Sequence, residues 1–326
     1  MALTHIMNTT HPQLYGLHHV TAVTAHASRN LDFYTRVLGL RLVKKTVNQD
    51  DVSAYHLFYA DAVGTPGTDM TFFDWEGAGE REEGSDQISR TYFRVTGGES
   101  IAYWNDRLRE EGIATHTRTL DTSQALLFED FEGQRLGLVD DEGKGNDAQF
   151  WKKGGVPKEH ALRGFYAIEL EIGNSEELDL FFQQILFWKV VSDYTHPLHD
   201  EPVRVYEMGD GGPGAQVHVR SSGTAPVFGT RAGAVHHSAF RVRTHEEIES
   251  WLEYFQEKGI PNSGIVERYY FSSLYFRISP GILFEIATDG PGFSVDEDAE
   301  RLGESLALPP FLESQREEIE AGLKPL

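Results

Sequence analysis

The chain repeats one order of elements, strand, helix, strand, strand, strand, four times at intervals of roughly 60 to 75 residues, the mark of internal duplication. The first copy reads as a strand over Tyr15–Ala25, a helix over Ser28–Leu38 stopped by Gly39, and strands at Leu40–Val47, Ala54–Ala60 and Asp69–Trp75. The second follows with Gln87–Val95, a helix Ser100–Glu111, and strands at His116–Leu120, Ala125–Asp130 and Arg135–Val139. The third opens with Gly164–Ile172, continues through a helix Ser175–Trp188, and adds strands at Lys189–Asp193, Val203–Met208 and Gln216–Arg220. The fourth opens with Ala234–Val242 and a helix Glu246–Lys258, with Thr244 and Glu247 as a capping box and Gly259 as its stop. Strands at Gly264–Tyr269, Leu274–Ile278 and Ile282–Ala287 close it. Such a sheet covers one apolar face with its helix and leaves the other open, so two must pair around a cavity. The expectation is an α+β protein of four βαβββ modules. They form two domains of half-barrel sheets with helices outside, over residues 13–142 and 158–292, joined by the polar stretch 140–158. A tail, 293–326, carries an acidic helix near Glu313–Ala321 and braces the fourth unit or a neighbouring copy in a homo-oligomer. Residues 1–12 read as a loose arm.

Within that frame one residue is out of place. Gly281–Ala287 is an apolar, strand-length run with Glu285 in its middle. A buried carboxylate needs hydrogen bonds, a cation or a metal. Two strand-like segments elsewhere carry histidine pairs, His18–His19 and His236–His237. Aligning the fourth strands on Pro66-Gly67, Pro213-Gly214 and Pro280-Gly281 sets Thr71 and His218 opposite Glu285. Aligning the first strands sets His19 opposite His237, with Ala167 in the third copy. The two-His, one-carboxylate set is thus split between the first and last copies. If these pair, His19, His237 and Glu285 converge as a facial triad that leaves coordination positions open, a set suited to non-haem Fe(II), with Mn(II) a close rival. Alternation favours His19 and His237, followed by small Thr21 and Ala239, as the inward members. His18 and His236 share a phase with Val20, Phe240 and Val242 on the helix-packed face, though periodicity alone leaves the choice within each pair open. His56, His116 and His196 read as ordinary strand histidines, and His218 as the remnant of a metal-free second site. Arg268, Tyr269, Tyr270 and Tyr275 surround the fourth-copy ligands.

Composition narrows the partners. The chain has 326 residues, 40% of them hydrophobic, and no cysteine, which excludes disulfides and thiolate metal sites. A formal charge of -22 disfavours nucleic acid and anionic membranes and favours a small neutral substrate. No run has the length of a membrane span and the start lacks a signal pattern, so the expected address is the cytoplasm.

The residues also resemble a known family. LHHVTAVTAHASRNLDFYTRVLGLRLVKKTVNQDD, YHLFYADAVGTPGTDMTFFDWEG, VHHSAF, YFSSLYFRISPGILFEIATDGPGF and RLGESLALPP are similar to segments of the vicinal oxygen chelate superfamily (glyoxalase, bleomycin resistance, dioxygenase). Within it they resemble the hydroquinone ring-cleaving dioxygenases. That resemblance implies Fe(II) held by His19, His237 and Glu285, with His18, Thr21, His236, Arg268 and Tyr275 lining the pocket for an aromatic diol and O2. Catechol enzymes of the superfamily take a ligand from the third module's first strand, where this chain has Ala167. The rivals on the same scaffold are a glyoxalase-like isomerase or lyase using Zn or Ni, and a metal-free protein that binds quinones or drugs.

Overall fold

The structure, a computed structural model, describes residues 11–145, 148–227, 229–279 and 281–326. Most of the loose arm expected at the start, and Pro280 of one aligned Pro-Gly pair, lie outside them. The four copies are present in order. The first comprises β1 (Leu17–Thr24), α1 (Ala27–Asp32), β2 (Arg41–Asn48), β3 (Asp51–Ala60) and β4 (Asp69–Asp74); the second β5 (Gln87–Val95), α2 (Gly97–Glu110), β6 (His116–Leu120), β7 (Ser123–Glu129) and β8 (Arg135–Asp140). The third has β9 (Phe165–Ile172), α3 (Ser175–Gln184), β10 (Lys189–Thr195), β11 (Pro202–Glu207) and β12 (Gln216–Ser221). The fourth has β13 (Val235–Val242), α4 (His245–Lys258), β14 (Asn262–Glu267), β15 (Phe271–Ser279) and β16 (Ile282–Pro291), and α5 (Arg316–Gly322) ends the tail.

The copies pair first with fourth and second with third. One eight-stranded sheet runs β14-β15-β16-β13-β1-β4-β3-β2, the other β10-β11-β12-β9-β5-β8-β7-β6. Each is joined at its centre by two opening strands running antiparallel, β1 with β13 and β5 with β9. Each sheet therefore draws one module from either half of the chain. The helices bury Trp104, Leu108, Trp251 and Phe255 in one large core with the outward faces of the strands, including Phe72, Phe240 and Phe284. The opposite, inner face of the first sheet carries a separate cluster containing Phe58, Ala239, Tyr270, Phe271 and Phe293.

Local chemistry sets the ends. Thr244 Oγ1 accepts the Glu247 N–H at 3.3 Å while the Glu247 carboxylate accepts the Arg243 N–H at 2.6 Å, and Gly259 ends α4 in the left-handed region at φ 66°. Three expectations need correction. The first helix widens after Asp32 into a π turn, Phe33–Val37, where the Leu38 N–H reaches the Phe33 carbonyl. The third helix stops at Gln184, because Phe187 turns at φ 57° to bring Trp188 into the core beside Phe182. β14 ends at Glu267 rather than Tyr269, which has φ 68° and turns the chain so that Tyr270 and Phe271 enter the inner face.

The tail covers the inner side of the β2 edge. Lys44 has no exposed surface, and its ammonium donates to Asp296 Oδ1 at 2.7 Å and to Glu297 and lies 4.7 Å over the Tyr270 ring. Tyr270 in turn donates to Asp296 Oδ2 at 2.9 Å. Farther along, Leu308, Leu312 and Ile319 pack on Val47. Removing one partner of a buried pair leaves charge without compensation. Lys44→Ala is expected to destabilise the protein by about 3–5 kcal/mol, read from urea unfolding; a loss under about 1 kcal/mol would mean the tail is not anchored there.

Candidate metal centre

Glu285 sits in β16 at the register position of Ala239 in β13, and β13 lies beside β1, so three neighbouring strands carry Glu285, His237 and His19. The equivalent cross-strand partner in the first copy is Thr71, opposite Thr21, and in the third His218, opposite Glu169, as the aligned repeats require. The structure brings His19, His237 and Glu285 together. His19 Nε2 and His237 Nε2 lie 3.3 and 3.0 Å from Glu285 Oε2, and 3.3 Å from each other. All three are buried, Glu285 completely. Among the described residues this is the one group of histidine and carboxylate side chains placed to hold a metal ion.

Short as these contacts are, neither Glu285 oxygen takes part in a well-formed hydrogen bond. The reason lies behind the imidazoles. His18 Nε2 is 3.0 Å from the Thr288 carbonyl, which can only accept, so this nitrogen carries the proton. Burial, then the neighbouring His19, pushes the His18 pKa down to about 3, so the ring is neutral and its Nδ1 is a bare acceptor. That Nδ1 meets His19 Nδ1 at 2.9 Å, which assigns the proton to His19 Nδ1 and turns the lone pair of His19 Nε2 toward Glu285. The second pair makes the same contact: His236, also lowered to about 3 by burial, meets His237 Nδ1 at 2.7 Å, and a proton on His237 Nδ1 would turn its Nε2 lone pair toward Glu285 in the same way. Burial likewise lowers His237. Neutral imidazole and ionised carboxylate are the protonation states a metal requires, and lone pairs converging in a dry pocket repel unless a cation lies among them. The site fits a divalent ion held by two nitrogens and one oxygen.

His18 and His236 do not lie on the helix-packed face with Val20 and Phe240. The β1–β13 register shifts between Leu17 and His19 and again at the Val235–His237 end. Each irregularity turns the preceding histidine to the inner side. There His18 meets Phe271, with ring centroids 5.4 Å apart, and His236 meets Phe73 and Trp75, both at 5.5 Å.

Thr21 Oγ1 and Thr71 Oγ1 bond at 2.8 Å, so hydroxyls stand where a second carboxylate would. Tyr275 is paired across the strands with Glu285, and its ring stands edge-on to His237 at 5.8 Å. Burial, then Glu285, raises the Tyr275 pKa, so the phenol keeps its proton. The Arg268 guanidinium lies over that ring at 5.6 Å and pairs with Asp50 at 2.9 Å, while the Gln49 side chain holds the Arg268 carbonyl at 2.8 Å. Arg268 and the β2–β3 turn thus meet over the cavity, whose walls include His19, His237, His56, Phe58, Phe73 and Tyr275. It holds about 40 Å³, against the roughly 150 Å³ that admits a benzene. A bound aromatic ring therefore requires the walls to move apart.

Sequence reasoning missed His56, which lines this cavity; its signal was a shared phase with Phe58. His116 is exposed on β6. His196 is buried 3.2 Å from Glu169, a carboxylate in the second half-barrel that also accepts from Tyr92 at 2.7 Å and Ser89 at 2.9 Å. His218 takes no part in that cluster's bonds; it meets the Tyr194 hydroxyl at 2.9 Å.

Comparison with known proteins follows the same lines. The model of the glyoxalase/bleomycin resistance protein/dioxygenase superfamily matches residues 16–138 and 128–293. The "Putative ring-cleaving dioxygenase MhqA" of Bacillus subtilis (strain 168) is 45% identical over 315 residues, covering 95% of this chain and 98% of that protein. The chain belongs to this superfamily and, within it, to the ring-cleaving dioxygenases. The "Chlorohydroquinone/hydroquinone 1,2-dioxygenase" of Sphingobium indicum is 30% identical over 315 residues, covering 93% of this chain and 94% of that protein. The crystal structure of a "putative dioxygenase" from Bacillus subtilis subsp. subtilis str. 168 superposes with a TM-score of 0.86 at 35% identity, covering 96% of this chain and 98% of that one. Among the described residues no helix of this dioxygenase is long and apolar enough to cross a membrane.

The histidines give the metal-free protein a defined pH response. An unfolded histidine takes up its proton near pH 6.5, whereas His18 and His236 in the fold resist it until about pH 3. The unfolded state binds more protons between these values, so stability falls as pH drops from about 6.5 toward 3, by up to about 1.4 kcal/mol per pH unit for each histidine. Urea unfolding of metal-free protein across that window should show the slope, and His236→Phe should reduce it.

Proposed function

We propose that this protein is a non-haem Fe(II)-dependent dioxygenase that opens the ring of hydroquinone-type aromatic diols with O2. The observation that carries the reading is the buried carboxylate of Glu285, without hydrogen bonds, faced by the lone pairs of His19 and His237. These three residues would hold the ion, with Mn(II) the rival metal. Bound there, Fe(II) would supply open coordination positions for a phenolate and O2 side by side and lower the pKa of the phenol it binds. The diol class rests on the Sphingobium relative, whose name specifies hydroquinone and chlorohydroquinone.

The remaining roles follow from the bonds each side chain already makes. His18 and His236 fix the ligand imidazoles through Nδ1. His18 has both ring nitrogens engaged, so it orients rather than carries protons. Tyr275, protonated and next to Glu285, is the donor placed to give a proton to a developing oxyanion. Arg268, stacked on Tyr275, offers a guanidinium to a ring oxygen once Asp50 releases it. Thr21 keeps Thr71 turned toward itself, where a glyoxalase-type site would need a further carboxylate.

With Fe(II)-reconstituted protein and hydroquinone, an oxygen electrode should record one O2 consumed per ring. His237→Ala and Glu285→Gln should fall to background. Tyr275→Phe should retain metal and lose about 10²–10⁴-fold in kcat. No oxygen uptake with any 1,4-diol at full iron occupancy rejects the proposal.

A further inference from the structure

We infer that His56 binds the second hydroxyl of the diol, the one at the far end of the ring from the His19–His237–Glu285 cluster, and so makes the site selective for diols over monophenols. This rests on the functional reading above and deepens it.

A diol with one oxygen among the cluster must bury the other inside the same cavity, and a buried hydroxyl needs a partner. Several polar groups of the cavity wall are committed to other partners. Asn48 Oδ1 accepts the Asp50 N–H, and Gln49 donates to the Arg268 carbonyl. Asp50 pairs with Arg268, Arg268 Nε approaches the Tyr275 hydroxyl at 3.4 Å, and Tyr270 donates to Asp296. His56 differs. Its Nε2 meets Thr71 Oγ1 at 3.0 Å, and Nδ1 has no hydrogen bond among the described residues although the ring lines the cavity. Thr46, paired with His56 across β2 and β3, has a hydroxyl without a hydrogen bond, but at 1% exposure it offers little to a ligand, so His56 is the accessible group at that end.

The placement suits an aromatic ring. His56 lies between Phe58 and Phe73, with centroids at 4.0 and 4.4 Å, and Phe73 is itself 6.5 Å from His237. Phe73 thus touches both His56 and His237, and a six-membered ring lying along Phe73 would turn one oxygen toward the cluster and the other toward His56. The imidazole cannot swing away, because Thr71 holds its other nitrogen and Thr21 holds Thr71.

The test is equilibrium binding to Mn(II)-loaded protein under anaerobic conditions, where no turnover occurs, with hydroquinone and phenol titrated by calorimetry. Wild-type protein should bind hydroquinone at least about tenfold more tightly than phenol. His56→Phe, which keeps the aromatic packing, should weaken hydroquinone about 10- to 100-fold while changing phenol less than about twofold. His56→Gln, which keeps a polar atom, should recover part of the loss and decides the matter if the Phe variant melts early. Unchanged hydroquinone affinity in both variants, or equal losses for the two ligands, overturns the inference while leaving the dioxygenase reading standing. Wild-type protein that binds neither ligand overturns both.

Discussion

A carboxylate sealed from water with no proton donor to meet it is the constraint around which this molecule is arranged. Glu285 could have been satisfied by backbone amides or an arginine. Instead two imidazoles approach it, and the proton that His19 spends on His18, itself fixed by the Thr288 carbonyl, turns the His19 lone pair forward. The paired histidines are thus a single device used twice: one ring turned toward the carboxylate, the other fixing its tautomer. The same sheet keeps other acids away, since hydroxyls of Thr21 and Thr71 fill the position related by the repeat.

The second half-barrel shows what the fold does without that device. Its buried Glu169 accepts from Tyr92 and Ser89, with His196 Nε2 at 3.2 Å and the Arg220 guanidinium at 3.5 Å, the latter bonded onward to Glu171 and Glu201. Here donors surround the carboxylate, and an internal cation supplies the positive charge. Duplication produced two frames of similar topology; the partners around each carboxylate separate a candidate ion site from a structural network.

Much of this was legible in the sequence because period and repetition are linear properties. The alignment of copies sets Thr71 and His218 opposite Glu285, and the registers of β4, β12 and β16 agree. The sequence posed the pairing of the outermost copies as the condition for the histidines to meet Glu285, and the strand order supplies it. What alternation could not give was the face of His18 and His236, since a single irregularity in a strand reverses the parity on which such reasoning depends. Nor could it show that Tyr269 would bend the chain at positive φ, or that His56, on a strand with no motif, would end in the cavity. The tail resisted for another reason: Lys44 looks like a surface lysine until Asp296 and Glu297, some 250 residues away, close over it.

Counting the ion tests the account most directly. Metal-free protein titrated anaerobically with Mn(II) and followed by electron paramagnetic resonance should take up one tightly held ion per chain, and Glu285→Gln should take up none. A wild-type chain that binds no ion at saturating Mn(II), or a Glu285→Gln variant that binds it equally well, would contradict the claim that these three side chains converge to hold a metal.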